Sequence, residues 1–393
     1  MLISAIFIVF YTIPVCLIAI FQIRHIKMSD KVVILDSKDF DIAKNYAIIS
    51  QYFHIFESVF STILFVFWVV FGFYLLQEIC GISGILSDVV FVVSFLIINA
   101  ILNLPLSAYK TLVMDKSFGF SKTSIKLYII DTIKSFLLLV IFASILSFVL
   151  IYLMNYSFWW IFGFILVFLI VVLINLIYPT IIAPLFNKFS PLENKDLESQ
   201  ITKMMDSVGF RANGIFVMDA SKRDGRLNAY FGGLGKSKRV VLFDTLLSKV
   251  TQNELLAILG HELAHFKHKD LIKNIGIMAV VLFCLFFVAG NLPSFVFDGF
   301  SQTHSSILCV LILISSLISF YFLPFINYFS RIAEYRADEF GSKLTNKTDL
   351  GNALIKLINE NKAFPYSHRI YIFFYMSHPP LLDRLKALNY QFQ

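Results

Sequence analysis

Charge is scarce in this chain, and its scarcity excludes a great deal. Only 15% of the 393 residues are Asp, Glu, Lys or Arg, 58% are hydrophobic, and the mean hydropathy is +0.77. A soluble domain carries about 25% charge, so a soluble fold is excluded. Charge is missing altogether from residues 1–22, 58–77, 89–109, 135–187, 274–297 and 299–330. Within those windows nothing marks an ion path, which argues against a transporter or channel. Cysteine is also sparse: Cys16, Cys80, Cys284 and Cys309 lie in or beside apolar runs without CxxC spacing. They read as small buried hydrophobes rather than a disulfide framework or metal cluster. No basic tract is interleaved with aromatics, so nucleic acid is not expected as a partner, and neither internal repeats nor low-complexity stretches are evident.

The apolar windows are therefore what the sequence has most to say about. A spanning helix needs about 20 residues. The window 135–187 is long enough for two, with a turn near Asn155-Tyr156-Ser157, which makes seven spans in all. The first segment lacks a basic flank and a small-residue cleavage site and is expected to be retained as a helix. Basic residues are strongly one-sided. Arg24, Lys27, Lys31, Lys38 and Lys44 follow the first span, Lys110 to Lys134 follow the third, and the rest lie in 188–273 and 331–386. The alternate connections, 78–88, 154–158 and 291–304, contain no Lys or Arg. The positive-inside rule then puts the amino terminus outside and the carboxyl terminus inside. The net charge of +7 resides mostly in the inward segments and implies attraction to anionic membrane lipids.

His261-Glu262-Leu263-Ala264-His265 carries the chemistry. Thr251 and Glu254 read as a capping box, and Leu255, Leu256, Ile258 and Leu259 continue the helix toward the histidines. Four residues apart on one helical face, the two imidazoles can grip one metal ion, as in zinc hydrolases. A catalytic zinc site needs a third protein ligand and an open position. Glu334 is the candidate, with Asp338 on the same helical face to accept the free N–H of a ligating histidine. The alternative is a solvated helix laced by Arg331 and Arg336. Seven spans favour the ligand, because that parity returns Glu334 to the membrane face that holds His261 and His265.

Residues 221–233 form a polar, Gly-rich stretch leading into a short strand at 239–243. Such a loop and strand ahead of the metal helix could offer an open edge for an extended peptide, although an ordinary hairpin packing the helix fits the periodicity better. On residues alone, His378 before Pro379-Pro380 reads as a helix start, and Arg384 as a partner for Asp383 or Glu360.

SKRDGRLNAYFGG at 221–233, KRVVLFDTLL at 238–247, HELAH at 261–265, EYRAD at 334–338 and SHPPLLDRL at 377–385 together resemble an integral-membrane zinc metalloprotease of the M48 group. The likeness is greatest to its seven-span branch, the type I CAAX prenyl proteases. That resemblance implies one Zn2+ per chain, held by His261, His265 and Glu334, with Glu262 as general base and Asp338 behind a ligand. It also implies that Asn228, Ala229, Tyr230 and Phe231 hold substrate and that His378 and Arg384 stabilise the oxyanion. The implied substrate is a protein or peptide carrying a prenylated cysteine in a carboxyl-terminal CAAX sequence, from which the last three residues, those after the cysteine, are removed. A heat-shock type quality-control protease of the same group is the alternative, though it usually has about four spans and a shorter chain.

The expected fold is mainly α: seven transmembrane helices with a small α+β metalloprotease domain at the cytoplasmic face. Residues 1–187 form the amino-terminal membrane region, 188–270 the catalytic domain, 271–330 two further spans, and 331–393 a segment completing the site. The location is a bacterial inner membrane or the endoplasmic reticulum membrane, according to source. A single cysteine at Ser157, in a background with the native cysteines removed, should react with an impermeant thiol reagent applied outside. Protection of that cysteine in sealed, correctly oriented membranes would reverse the orientation.

Overall fold

Among the described residues, apolar runs too long for a soluble core become seven helices long and apolar enough to cross a membrane. The computed structural model describes residues 1–31, 33–81, 84–233 and 238–391. The spanning candidates are α1 (Leu2–Met28), α2 (Ser37–Cys80), α3 (Ile85–Ser117), α4 (Ile125–Leu153), α5 (Trp159–Phe186), α8 (Asp270–Gly290) and α9 (His304–Leu344). Helices α4 and α5 divide the long charge-free window at residues 154–158, where the turn was expected. Several helices overrun their windows. Glu57 therefore lies within α2 and Lys110 within α3.

Phe65, Trp68, Phe73, Phe91, Phe95 and Ile151 form the buried centre of the bundle, joined by Phe286 and Cys309 from α8 and α9. Aromatic pairs such as Trp68 and Phe95, with centroids 4.8 Å apart and planes at 70°, pack edge to face. Outward side chains such as Ile63, Leu137 and Leu169 are exposed and apolar, the surface a hydrocarbon solvent requires.

Between α5 and α8 the described residues build a four-stranded sheet and two helices of more than ten residues. The elements are β1 (Phe189–Pro191), α6 (Lys195–Ser207), β2 (Ile215–Met218), β3 (Ala229–Gly232), β4 (Arg239–Phe243) and α7 (Gln252–Lys267). The strand order is β1-β2-β4-β3, with β2 parallel to β4 and β3 antiparallel to it. Both readings of the 221–243 stretch thus hold in part: β3 pairs with β4, and β3 is also an edge of the sheet. Leu255, Leu259 and Leu263, four residues apart, are buried on one side of α7 with Leu242 and Leu246. Three helices follow α9: α10 (Lys347–Glu360), α11 (Arg369–Tyr375) and α12 (Leu381–Ala387).

Contacts on two sides hold the approach to β3 in place. Arg223 makes a two-pronged contact to Asp131 of α4, at 2.8 and 3.1 Å, and Ser121 bridges to Asp224. The Arg226 guanidinium lies over the Phe120 ring and donates to the Tyr46 hydroxyl at 3.0 Å. On the other side, Asn361 grips both backbone groups of Leu227: its Oδ1 accepts from the N–H at 2.8 Å, and its Nδ2 donates to the carbonyl at 3.3 Å. The start of β3 is thereby fixed between membrane helices and the carboxyl-terminal segment.

Helix α9 is unbroken for 41 residues, roughly 60 Å at 1.5 Å per residue, so no break separates its span from its catalytic end. It crosses α7 where glycine meets glycine. A Cβ at Gly341 would lie 2.7 Å from the backbone nitrogen of His261, and one at Gly260 would lie 3.4 Å from the Gly341 carbonyl. Gly341→Ala should therefore cost about 1–3 kcal/mol, the usual scale for overpacking a close contact. It should also lower metal content by pushing α9 from α7. Thermal unfolding with and without added metal checks this, and an unchanged melting temperature would mean that the crossing can widen freely.

Candidate active site

The helix α7 begins as its sequence predicts. Thr251 accepts from the Glu254 N–H at 3.3 Å, while the Glu254 carboxylate accepts from the Thr251 N–H at 2.7 Å. With its leucine face against the sheet, the opposite face turns His261 and His265 toward α9, their rings 5.0 Å apart and at 84°. Glu334 and Asp338 are buried on the facing side of α9, only 3% and 2% exposed.

One Glu334 oxygen lies 3.4 Å from the His261 Nε2 and the other 3.4 Å from the His265 Nε2. These separations are long for hydrogen bonds. They match the edge of a tetrahedron whose corners sit about 2.0–2.1 Å from a central ion, which is about 3.4 Å. Both Nδ1 atoms are engaged elsewhere, that of His261 with Asp338 at 2.9 Å and that of His265 with Asp270 at 3.1 Å. With Nδ1–H donating to these carboxylates, each ring in its neutral form would present an Nε2 lone pair inward, the tautomer a metal needs. The buried Glu334 Oε2 has no well-aligned hydrogen bond, though the His378 Nδ1 lies 2.9 Å away. Two imidazole nitrogens and one carboxylate oxygen suit a borderline divalent ion, and among the described residues His261, His265 and Glu334 are grouped tightly enough to hold one.

The electrostatics agree with that chemistry. Burial disfavours charge on His261, yet its contacts with Asp338 and Glu334 outweigh burial and push its pKa up to about 9. His265 moves in the same direction, burial again being overcome, there by Glu334. Positive charge is thus favoured at the point where the three ligand atoms converge. Burial raises the Glu262 carboxyl against the pull of both histidines, which makes its carboxylate a better base than an exposed one.

Arg384 belongs to the same cluster. It pairs with Asp338 rather than with Asp383 or Glu360, donating from Nε at 2.8 Å and from a terminal nitrogen at 2.6 Å. The same terminal nitrogen is 3.4 Å from Glu334. Bidentate pairing fixes the guanidinium plane as well as its position. His378 is exposed at the rim.

Glu262, His378 and Arg384 open onto a cavity of about 390 Å³ that Asn228 and Ala229 also line. Its far wall is apolar, formed by Leu350, Leu354, Phe364 and Met376 among others. Tyr230 and Phe231 do not turn their side chains into that cavity. The Tyr230 ring packs near Met218 and Phe243, and Phe231 lies against Phe210. Sequence reasoning missed Asp270, Asn361 and the glycine pair. Asp270 alone left a signal: an acid just past the helix that carries both histidines.

Similarity to known proteins follows the same division. Residues 191–391 match the family described as Peptidase family M48, and residues 3–188 match the one described as CAAX prenyl protease N-terminal, five membrane helices. The chain is 30% identical to the CAAX prenyl protease 1 homolog of Mus musculus, over 91% of this chain and 87% of that protein. It is 32% identical to CAAX prenyl protease 1 of Saccharomyces cerevisiae, over 75% and 70% of the two chains. The crystal structure of S. mikatae Ste24p superposes with a TM-score of 0.89 at 27% identity, covering 98% of each chain.

Replacing Glu334 with Ala removes one of the three converging ligand atoms. Metal affinity should fall by at least the about 10–100-fold seen when only an outer partner is lost. Elemental analysis of the purified variant reads the result, and full occupancy would contradict the ligand assignment.

Proposed function

This chain belongs to peptidase family M48, as a membrane-embedded metalloendopeptidase of the CAAX type, and we propose that it cleaves proteins whose prenylated cysteine is the fourth residue from the carboxyl terminus, releasing the three residues that follow it. One observation carries the proposal: a His-His-Glu cluster at metal-ligand spacing opens onto a part-apolar cavity above a lipid-facing bundle. The names of the relatives supply the substrate class. The matched segments 3–188 and 191–391 support dividing the chain near residue 187, with 188–270 and 331–393 acting as one catalytic unit split by two spans.

We assign zinc to His261, His265 and Glu334; when bound it would polarise the scissile carbonyl and acidify a water molecule. Glu262, next to His261 and facing the cavity, takes the proton of the attacking water and returns it to the leaving amine. Asp338 holds the His261 ring and is itself held by Arg384, whose positive charge faces the cavity. His378, exposed at the rim, is the movable N–H donor for the developing oxyanion, and the Arg384 charge adds to it. Asn228 to Phe231 supply an edge on which substrate backbone pairs, beside the Asn228 and Ala229 wall of the cavity. No serine or cysteine nucleophile is needed, so no covalent acyl-enzyme forms.

The catalytic unit lies on the Lys- and Arg-rich side, the cytoplasmic face. A lipid chain on the substrate cysteine is buried among the helices at about 0.8 kcal/mol per CH₂, enough for partial burial to dominate the backbone contacts.

Assays with a farnesylated CAAX peptide and its unprenylated twin test both parts. Removing the lipid should chiefly raise KM, and Glu262→Gln should keep its metal yet lose about 10²–10⁴-fold in turnover. Equal KM for the two peptides would favour a quality-control protease, and wild-type turnover by the Gln variant would place the base elsewhere.

A further inference from the structure

Asp270 lies at the start of the span α8, one turn beyond the end of α7, and is only 5% exposed. The chain reaches it through Lys269, which adopts a left-handed conformation with φ of 57° and so folds the chain back sharply between the two helices. That reversal sets the carboxylate beneath His265. One oxygen takes the His265 Nδ1 at 3.1 Å; the other accepts from Lys273 at 2.9 Å and from Arg336 of α9 at 3.2 Å. The arrangement repeats the one on the neighbouring ligand, where Asp338 takes the His261 Nδ1 and is gripped by Arg384.

We propose that Asp270 is a positioning residue for the metal site, fixing the tautomer and plane of His265, with Arg336 and Lys273 holding it in place. This rests on the assignment of His265 as a ligand. The physical reason is the number of donors. Every group that touches Asp270 in these contacts can donate: the imidazole N–H, the ammonium and the guanidinium. An anionic carboxylate satisfies all of them through two accepting oxygens, and a carboxylate behind an imidazole strengthens its other nitrogen as a ligand. An amide of the same shape cannot. Its single oxygen goes to the two cations, which leaves its NH₂ against His265 Nδ1 and drives the ring proton to Nε2, where it blocks the metal. Because Asp270 also begins a span and is tied to α9, the seat of His265 depends on how α8 and α9 dock.

The test compares Asp270→Asn with His265→Ala in the full-length protein purified in detergent, using Zn2+ alone as probe. Readouts are the zinc dissociation constant, its dissociation rate, thermal unfolding of the metal-free protein, and the ¹⁵N shifts of the histidine rings. His265→Ala should lose zinc, and retention there would overturn the ligand assignment on which the proposal rests. With His265 established, Asp270→Asn should bind zinc about 10–100-fold more weakly, with unchanged metal-free melting and one imidazole moved to the Nε2–H tautomer. Asp270→Glu, which restores an anion, should recover part of that affinity. Wild-type zinc affinity in Asp270→Asn would overturn the proposal. So would a zinc loss that only tracks a fall in metal-free melting, which would assign Asp270 to helix packing.

Discussion

The catalytic half depends on carboxylates buried where two helices cross. Glu334 and Asp338 sit almost wholly out of solvent on α9, and Asp270 beside them. A buried charge left unpaired costs about 3–5 kcal/mol, so each must be answered. Asp338 is answered by Arg384, and Asp270 by Arg336 and Lys273. Glu334 faces the two Nε2 atoms, the His378 ring and one corner of the Arg384 guanidinium. A divalent ion would supply the concentrated positive charge that this convergence favours, so metal binding and assembly of the crossing reinforce each other.

That crossing forms because nothing larger than hydrogen occupies Gly341. Close approach of α7 and α9 brings histidines from one helix to carboxylates of the other. Since α9 continues without interruption into the lipid-facing bundle, Glu334 and Asp338 are mounted on the longest candidate span after α2. Sites held by helices are more precise than sites held by loops. The β3 side of the cavity is tied down separately. Arg223 and Arg226 attach the approach to β3 to the membrane helices, and Asn361 clamps Leu227 from the carboxyl-terminal segment. The β3 edge and the candidate metal ligands are thus held by different parts of the chain around one cavity.

Membrane embedding explains the composition of the rest. Lipid-facing helices must be apolar outward because no water reaches their sides, whereas the inner packing is dominated by aromatic rings from α2 and α3. The few polar side chains at helix connections satisfy backbone ends. Gln77, for example, exchanges two hydrogen bonds with the backbone of Ser301.

Much of this was legible in the residues because it depends on local properties. Span number follows from the length of apolar runs, the start of α7 from a four-residue capping pattern, and the shared face of His261 and His265 from helical periodicity. The strand at 239–243 and the turn at 154–158 were legible for the same reason. What remained hidden involves partners distant in sequence or fixed by a turn. Nothing near Arg384 in the chain points to Asp338, nothing near Leu227 points to Asn361, and Asp270 reaches His265 only through the left-handed turn at Lys269. By itself, then, the sequence determined which segments enter lipid and which residue types can bind a metal, since partitioning and periodicity are properties of short stretches. Only the tertiary structure decided which carboxylate backs which histidine, because hydrogen-bond partners across a helix crossing are set by distances that no spacing along the chain encodes.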